Sequence, residues 1–325
     1  MHKYYTFNYP SATPGGATLL TGIRGIKHHP GEVYISGFYV FPGGVPVIPF
    51  VYKGTYLGEG SWNVLNYPSS PGITVTSTNL YGPNNGSEST LQVVGNYKTQ
   101  ETGAATLGCL YEGSLDGSGT WTTLIPSSSE PVLNTIAHST MGGLVVGNYD
   151  TADLVGRAFI YDIQRSLYHE IIKTGAKGIT AYGIWYNKDH SYTICGGYSD
   201  VDGSLSIGSA YLVDWNNATL TLSNWRTYAY GNDPAGAIIT HFDGITGSGC
   251  GGYNLTGDWL SIDRVERAFF CEIEKGKARW SLVSYPGLTT TSGNSVYKKT
   301  VIGSYMSEID ETINGYISMS TNLSH

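Results

Sequence analysis

His241 and Asp243 stand two residues apart, so an extended chain puts both on one face, where imidazole and carboxylate can form a general acid/base pair. The same region of the chain recurs. Counting three residues on from the start of each repeated strand segment gives Arg24, Asn79, His138, Tyr182, Asp243 and Asn294. This position is polar in every unit, and its six occupants are of five residue types. Packing would favour sameness, whereas a single site assembled from repeats would not. Arg24, His138, Tyr182, His241 and Asp243 are therefore the candidate catalytic residues, and Asn79, Trp185 and Asn294 the candidate substrate-binding ones. Trp185 and Tyr182 offer faces to an apolar ligand or a sugar, although rings on such strands commonly serve packing. The polar set equally suits the lining of a water-filled channel.

Other chemistry is absent by pattern. No nucleophile elbow, glycine-rich phosphate loop or histidine-rich metal motif occurs, so neither metal nor cofactor is expected. Asp200-Val201-Asp202-Gly203-Ser204 lacks the further carboxylates of a calcium loop and reads as a polar turn. Ser114-Leu115-Asp116-Gly117-Ser118-Gly119-Thr120-Trp121 has one residue too many for a sialidase Asp-box and reads as a hairpin loop. Cys109, Cys195, Cys250 and Cys271 have no zinc spacing. A net charge of −7 leaves no basic stripe for nucleic acid. No apolar run is long enough to span a membrane as a helix. The expected partner is a small molecule, and the oligomeric state is open. A strand-like segment from Tyr4 leaves no signal peptide, while sequons at Asn85, Asn217, Asn254 and Asn322 tip the expectation towards a secreted glycoprotein over a cytoplasmic chain.

What must position these residues is a repeat. Ile35-Ser36-Gly37-Phe38-Tyr39, Val93-Val94-Gly95-Asn96-Tyr97, Val145-Val146-Gly147-Asn148-Tyr149, Ile194-Cys195-Gly196-Gly197-Tyr198, Gly249-Cys250-Gly251-Gly252-Tyr253 and Val301-Ile302-Gly303-Ser304-Tyr305 each end in glycine, one residue, tyrosine. Their intervals are 58, 52, 49, 55 and 52 residues, and 59 round through the termini. A period near 50 that closes on itself predicts an all-β, six-bladed β-propeller. The 44 glycines and 26 tyrosines suit many short strands and tight turns. Even the helix-like segment 165–173 falls where a strand is required. The blades are expected at about 15–70, 72–128, 131–175, 177–232, 236–287 and 289–321 plus 3–11, in one domain over 1–325. Residues 4–10 match Trp62-Asn63-Val64-Leu65-Asn66-Tyr67-Pro68, so the N-terminal segment supplies the outer strand that the last blade lacks.

Val145-Val146-Gly147-Asn148-Tyr149 with Arg157-Ala158-Phe159-Ile160-Tyr161, and Tyr285-Pro286-Gly287, resemble the HAF-type extracellular repeat across the whole chain. The pairs Gly196-Gly197 and Gly251-Gly252 resemble kelch repeats in part. In length, glycine and tyrosine richness and lack of catalytic motifs, the chain is also similar to fungal hetero-Diels–Alderases of tropolone sesquiterpenoid pathways. That resemblance implies a cofactor-independent enzyme joining a quinone-methide-like diene to a terpene alkene in an apolar pocket, with Arg24, His138, Tyr182 or Asn294 polarising a carbonyl. The alternatives are a lectin-like propeller and an interaction scaffold with an inert channel. A multivalent lectin would repeat its site in every blade, which these six positions, of five residue types, do not.

Overall fold

The computed structural model describes residues 2–320 apart from 87–89, 104, 201–207, 250 and 289, so the segment 201–204, Cys250 and the Asn322 sequon lie outside the described residues. The described chain is all β, with one short 3-10 turn at Tyr230–Asn232. The segment 165–173 contains the strand Leu167–Ile171, as the repeat requires.

The strands form small antiparallel sheets in chain order. Val75–Asn85, Leu91–Thr99, Leu107–Gly113 and Thr120–Leu124 make one. Asn134–Met141 to Leu167–Ile171, Gly178–Lys188 to Thr221–Tyr228, and Ala237–Gly247 to Lys277–Val283 make three more of four strands each. The first sheet of the chain, Ala17–Gly25 to Gly60–Val64, is joined to the last by a single parallel strand pairing, Ala17 with Ile313. In the last sheet, Ser295–Tyr297, Thr300–Met306 and Ile313–Ser320 are followed by His2–Thr6, which pairs antiparallel with Ile313–Ser320 from His2/Ser320 to Thr6/Tyr316. Tyr4 packs edge-on against Tyr285, and its hydroxyl accepts from the Ser284 N–H at 3.1 Å.

Consecutive residues such as Val93 and Val94, or Ile194 and Cys195, are both fully buried, so these strands are covered on both faces. What covers them is the neighbouring sheet. Val94 and Leu110 cluster with Val145 and Phe159 of the next sheet, and Cys195 and Leu212 with Phe242 and Phe269. Ile302 and Ile317 of the last sheet cluster with Leu20, Ile35 and Phe50 of the first.

The repeated glycine has a steric cause. A Cβ on Gly37, Gly95, Gly147, Gly196, Gly257 or Gly303 would collide with a carbonyl oxygen of the preceding strand: Leu19, Asn79, Ile136, Thr180, His241 or Ser292, respectively. The fifth of these corrects the sequence reading. The equivalent of the Gly-x-Tyr unit there is Gly257-Asp258-Trp259, and Gly251-Gly252-Tyr253 lies six residues early because its tyrosine only opens the strand Tyr253–Ser261. Ring stacking agrees. Tyr67 stacks on Tyr97 at 3.7 Å and Tyr285 on Tyr305 at 3.8 Å, and Tyr230 stacks in the same way on Trp259 at 4.2 Å. The apolar core thus repeats with an aromatic, not specifically a tyrosine, at this place.

A Cβ on Gly147 would also sit 2.8 Å from the Phe159 ring, whereas one on Gly156 meets nothing closer than 3.6 Å. Gly147→Ala should therefore lower stability by about 3 kcal/mol or more, with Gly156→Ala within about 0.5 kcal/mol of the parent. Urea unfolding midpoints of the two variants check this, and equal midpoints would refute the steric account.

Candidate functional site

Where the carbonyl crosses the glycine, the first strand of five sheets carries a β-bulge. Pairing skips Thr21 between Leu20 and Gly22, and skips Tyr81 and Gly82 between Leu80 and Pro83. It skips His138, Tyr182 and Asp243 in the same way. Asn294 precedes the paired Ser295, and its N–H donates to the Ile302 carbonyl at 2.9 Å. A bulged residue is free to be re-aimed. All of these bulged residues except Gly82 line one cavity of about 240 Å³, together with Leu19 and Phe38.

The small residue after the bulge lets the first strands approach each other. A Cβ on Gly22 would lie 2.7 Å from the Gly82 Cα, one on Gly82 2.9 Å from the Ser139 Cα, and one on Gly244 2.8 Å from the Ser295 Cα. Thr21 Oγ1 donates to the Leu80 carbonyl at 2.6 Å, and Asn294 Nδ2 to the Leu20 carbonyl at 2.7 Å.

Of the residues expected from sequence, the structure brings His138, Tyr182, Asp243 and Asn294 together at this cavity. Arg24 and Asn79 do not line it; Thr21 and Tyr81 hold their places. The offset of three residues was right, but the count began at the wrong threonine in the first two units. The proper origin is a buried threonine whose Oγ1 accepts the N–H of a tyrosine ending the preceding outer segment: Thr18 from Tyr9, Thr78 from Tyr67, Thr240 from Tyr230 and Thr291 from Tyr285. Trp185 stands further along its strand, its ring 5.4 Å from the Arg24 guanidinium carbon. Asn79 pairs with Asn96.

One side of the cavity is an arc of rings. Phe38 meets Tyr81 at 6.4 Å, Tyr81 meets His138 at 5.1 Å, and His138 meets Tyr182 at 4.6 Å, each edge to face. Tyr182 continues to His241 at 5.7 Å. The other side carries Asp243, Asn294 and Thr21. Beyond Tyr182 and His241, a second cavity of about 120 Å³ opens among Ile179, Tyr198, Ile239 and glycines including Gly197. Gly197 has a specific task, since its Cβ would come within 2.8 Å of the His241 Cβ.

The charges divide into neutral and ionised sets. Burial holds the His138 imidazole down at about 4, against a hydrogen bond of 2.6 Å from Nε2 to Asn148 Oδ1, so the ring is neutral with its lone pair on Nδ1. Burial raises the Tyr81 phenol to about 12, and burial with the Asp243 charge does the same for Tyr182, so both remain O–H donors. His241 is different. Burial pulls it down, but the charge and 2.9 Å hydrogen bond of Asp243, with help from Asp258, hold it at about 9. Burial raises Asp243, and burial together with Asp243 raises Asp258 strongly. Asp258 Oδ1 accepts the Gly293 N–H at 2.7 Å.

Asp258 is the member of this buried cluster that sequence reasoning missed, because the fifth repeat was placed six residues early. His241, Asp243 and Asp258 bring one nitrogen and two oxygen atoms within 4.8 Å of one another, a set that could hold a divalent cation. As arranged, His241 Nδ1 is committed to Asp243, and the trio works as an ion pair beside a carboxyl that retains its proton readily. Such a group can donate and accept protons at a bound molecule.

No family model and no curated protein matches the chain. Solved structures do. A protein of unknown function from Dyadobacter fermentans superposes with a TM-score of 0.62 at 11% identity, over 97% of each chain. An α-L-arabinanase of Penicillium chrysogenum, solved with arabinobiose, superposes with a TM-score of 0.54 at 12% identity, over 97% of this chain and 98% of that one. The fold is that of a β-propeller.

A histidine held above its usual 6.5 contributes stability fully present below that pH and lost as pH rises through about 9. The raised carboxyl groups act in the same sense. Urea midpoints should therefore fall between pH 6.5 and 9, and Asp243→Asn, which removes the charge facing His241, should flatten that fall. An equal slope in the variant would dissociate His241 from Asp243.

Proposed function

We propose that residues 1–325 form one six-bladed propeller of HAF-type repeat, closed by the N-terminal strand, that binds a single flat, largely apolar molecule at its hub and transforms it without a resident cofactor. The closure reading is supported by the pairing of His2–Thr6 with Ile313–Ser320, and by contacts that pass from each sheet to the next and from the last back to the first. Its six blades correspond to the five bulged first strands and to Ser295–Tyr297, which Asn294 precedes.

The observation that carries the function is the single asymmetric cavity lined by Thr21, Tyr81, His138, Tyr182, Asp243 and Asn294. A lectin repeating its site would need like residues at these places. The arc from Phe38 to Tyr182 suits the face or edge of an unsaturated ring system, and the neutral phenols of Tyr81 and Tyr182 suit a carbonyl oxygen. The side cavity beyond Tyr182 leaves room for an apolar extension.

A hetero-Diels–Alder addition is the finer proposal. Holding a quinone-methide diene against an alkene in a near-attack pose lowers the entropic barrier, and a phenol donating to the diene oxygen stabilises the charge that develops there. No nucleophile is required. Tyr182 and Tyr81 are the polarising donors, with His241 and Asp243 fixing the orientation of Tyr182 through ring contact and charge.

Two measurements test this. Calorimetric titration with 1-tetralone, a flat aromatic ketone, should give one saturable site per chain, weakened about tenfold in Tyr182→Phe, with no heat from arabinobiose. Several equivalent sites, or binding of the sugar alone, would replace the hub reading by the lectin one. An o-quinone methide generated in situ with a terpene alkene should give a pyran adduct with excess of one hand. A racemic adduct from the parent chain would exclude the reaction.

A further inference from the structure

Arg24 is buried to 7% exposure, and its Nε and Nη1 have no hydrogen-bond partner. Among the described residues no carboxylate forms an ion pair with it. Its neighbours are the Trp185 ring, at 5.4 Å from the guanidinium carbon, and Tyr297, whose ring packs where a Gly25 side chain would stand. A cation over an indole face recovers far less than the hydration a guanidinium gives up on burial. Nor does the group escape by losing its proton, since burial lowers it only to about 10. A positive charge is therefore left uncompensated inside the molecule.

The space beside it is small and continuous with the hub. A cavity of about 10 Å³ is lined by Arg24, Ser139, Ser295, Thr21, Tyr182 and Asp243, the last three of which also line the larger cavity. That volume holds one atom of about the size of a water molecule. Water would satisfy an N–H but leave the charge. Asp243 shares the wall, but its charge is matched by His241.

We infer that this neck is an anion site, in which Arg24 binds one negatively charged atom: a free halide, or a single oxygen of a carboxylate carried by the molecule at the hub. Arg24 thus serves as a binding residue at the floor, separate from the carbonyl-polarising groups above. The free-halide form does not depend on the hub reading.

The test is thermal unfolding at constant ionic strength with gluconate replaced stepwise by chloride, and separately by benzoate. Chloride should raise Tm saturably, by about 2–4 °C at saturation, and Arg24→Met should abolish the rise. A rise with benzoate but not chloride assigns the site to a carboxylate of the hub ligand, and benzoate should then compete with 1-tetralone. If Arg24→Met fails to fold, bromide quenching of tryptophan emission serves instead. It should saturate in the parent and lose that saturable component in Trp185→Phe. No dependence on either anion, with linear quenching, would leave Arg24 solvated by water alone and overturn the proposal. Because the chloride arm uses no organic ligand, its failure is distinct from failure of the hub reading.

Discussion

One contact underlies the rest: the carbonyl oxygen of a first strand lying over the glycine of its partner, where no Cβ can be accommodated. It lets the first strand bulge without losing the pairing on either side, at Leu20/Gly37 and Gly22/Ser36 in the first sheet. The bulge then frees one side chain to face the hub. The glycine that makes the repeat conspicuous is therefore also what builds the site, and the same device recurs from sheet to sheet with five residue types among the six hub positions.

The consequence for chemistry is a division of labour around one cavity. Neutral groups, His138 and the phenols of Tyr81 and Tyr182, occupy the aromatic arc, where low polarity disfavours charge. Charge is confined to His241 and Asp243, which compensate one another, with Asp258 behind them. Gly197 shows how this is paid for structurally, since one sheet gives up a side chain so that the next can place its histidine.

The all-β architecture was legible because its cause is steric and recurs: a forbidden Cβ leaves glycine no substitute, and sheets buried on both faces need continuous apolar runs such as Val145 and Val146. The site was legible only where the register was. His138, Tyr182, Asp243 and Asn294 follow from a fixed offset, but Thr21 and Tyr81 were missed because the count began at Thr21 and Thr76 instead of at Thr18 and Thr78, which accept the N–H groups of Tyr9 and Tyr67. Asp258 was missed for a related reason. Trp259 replaces tyrosine at the stacking position, and a nearby Gly-Gly-Tyr supplied a false match. A hydrogen bond between distant segments, or an aromatic exchange that preserves stacking, leaves no mark on spacing. The partnerless guanidinium of Arg24 was equally hidden, because a polar residue in an apolar strand does not reveal whether anything answers it.

The pairing of His2–Thr6 with Ile313–Ser320 sets a timetable as well as a shape. Residues 2–6 find their hydrogen-bond partners only after residues 313–320 have been made. Until then the growing molecule carries an open sheet edge at one end and an unplaced ribbon at the other. Synthesis must pass Ser320 before this sheet can be sealed, so slow elongation over the last sheet would prolong the period in which neighbouring nascent chains could exchange ribbons.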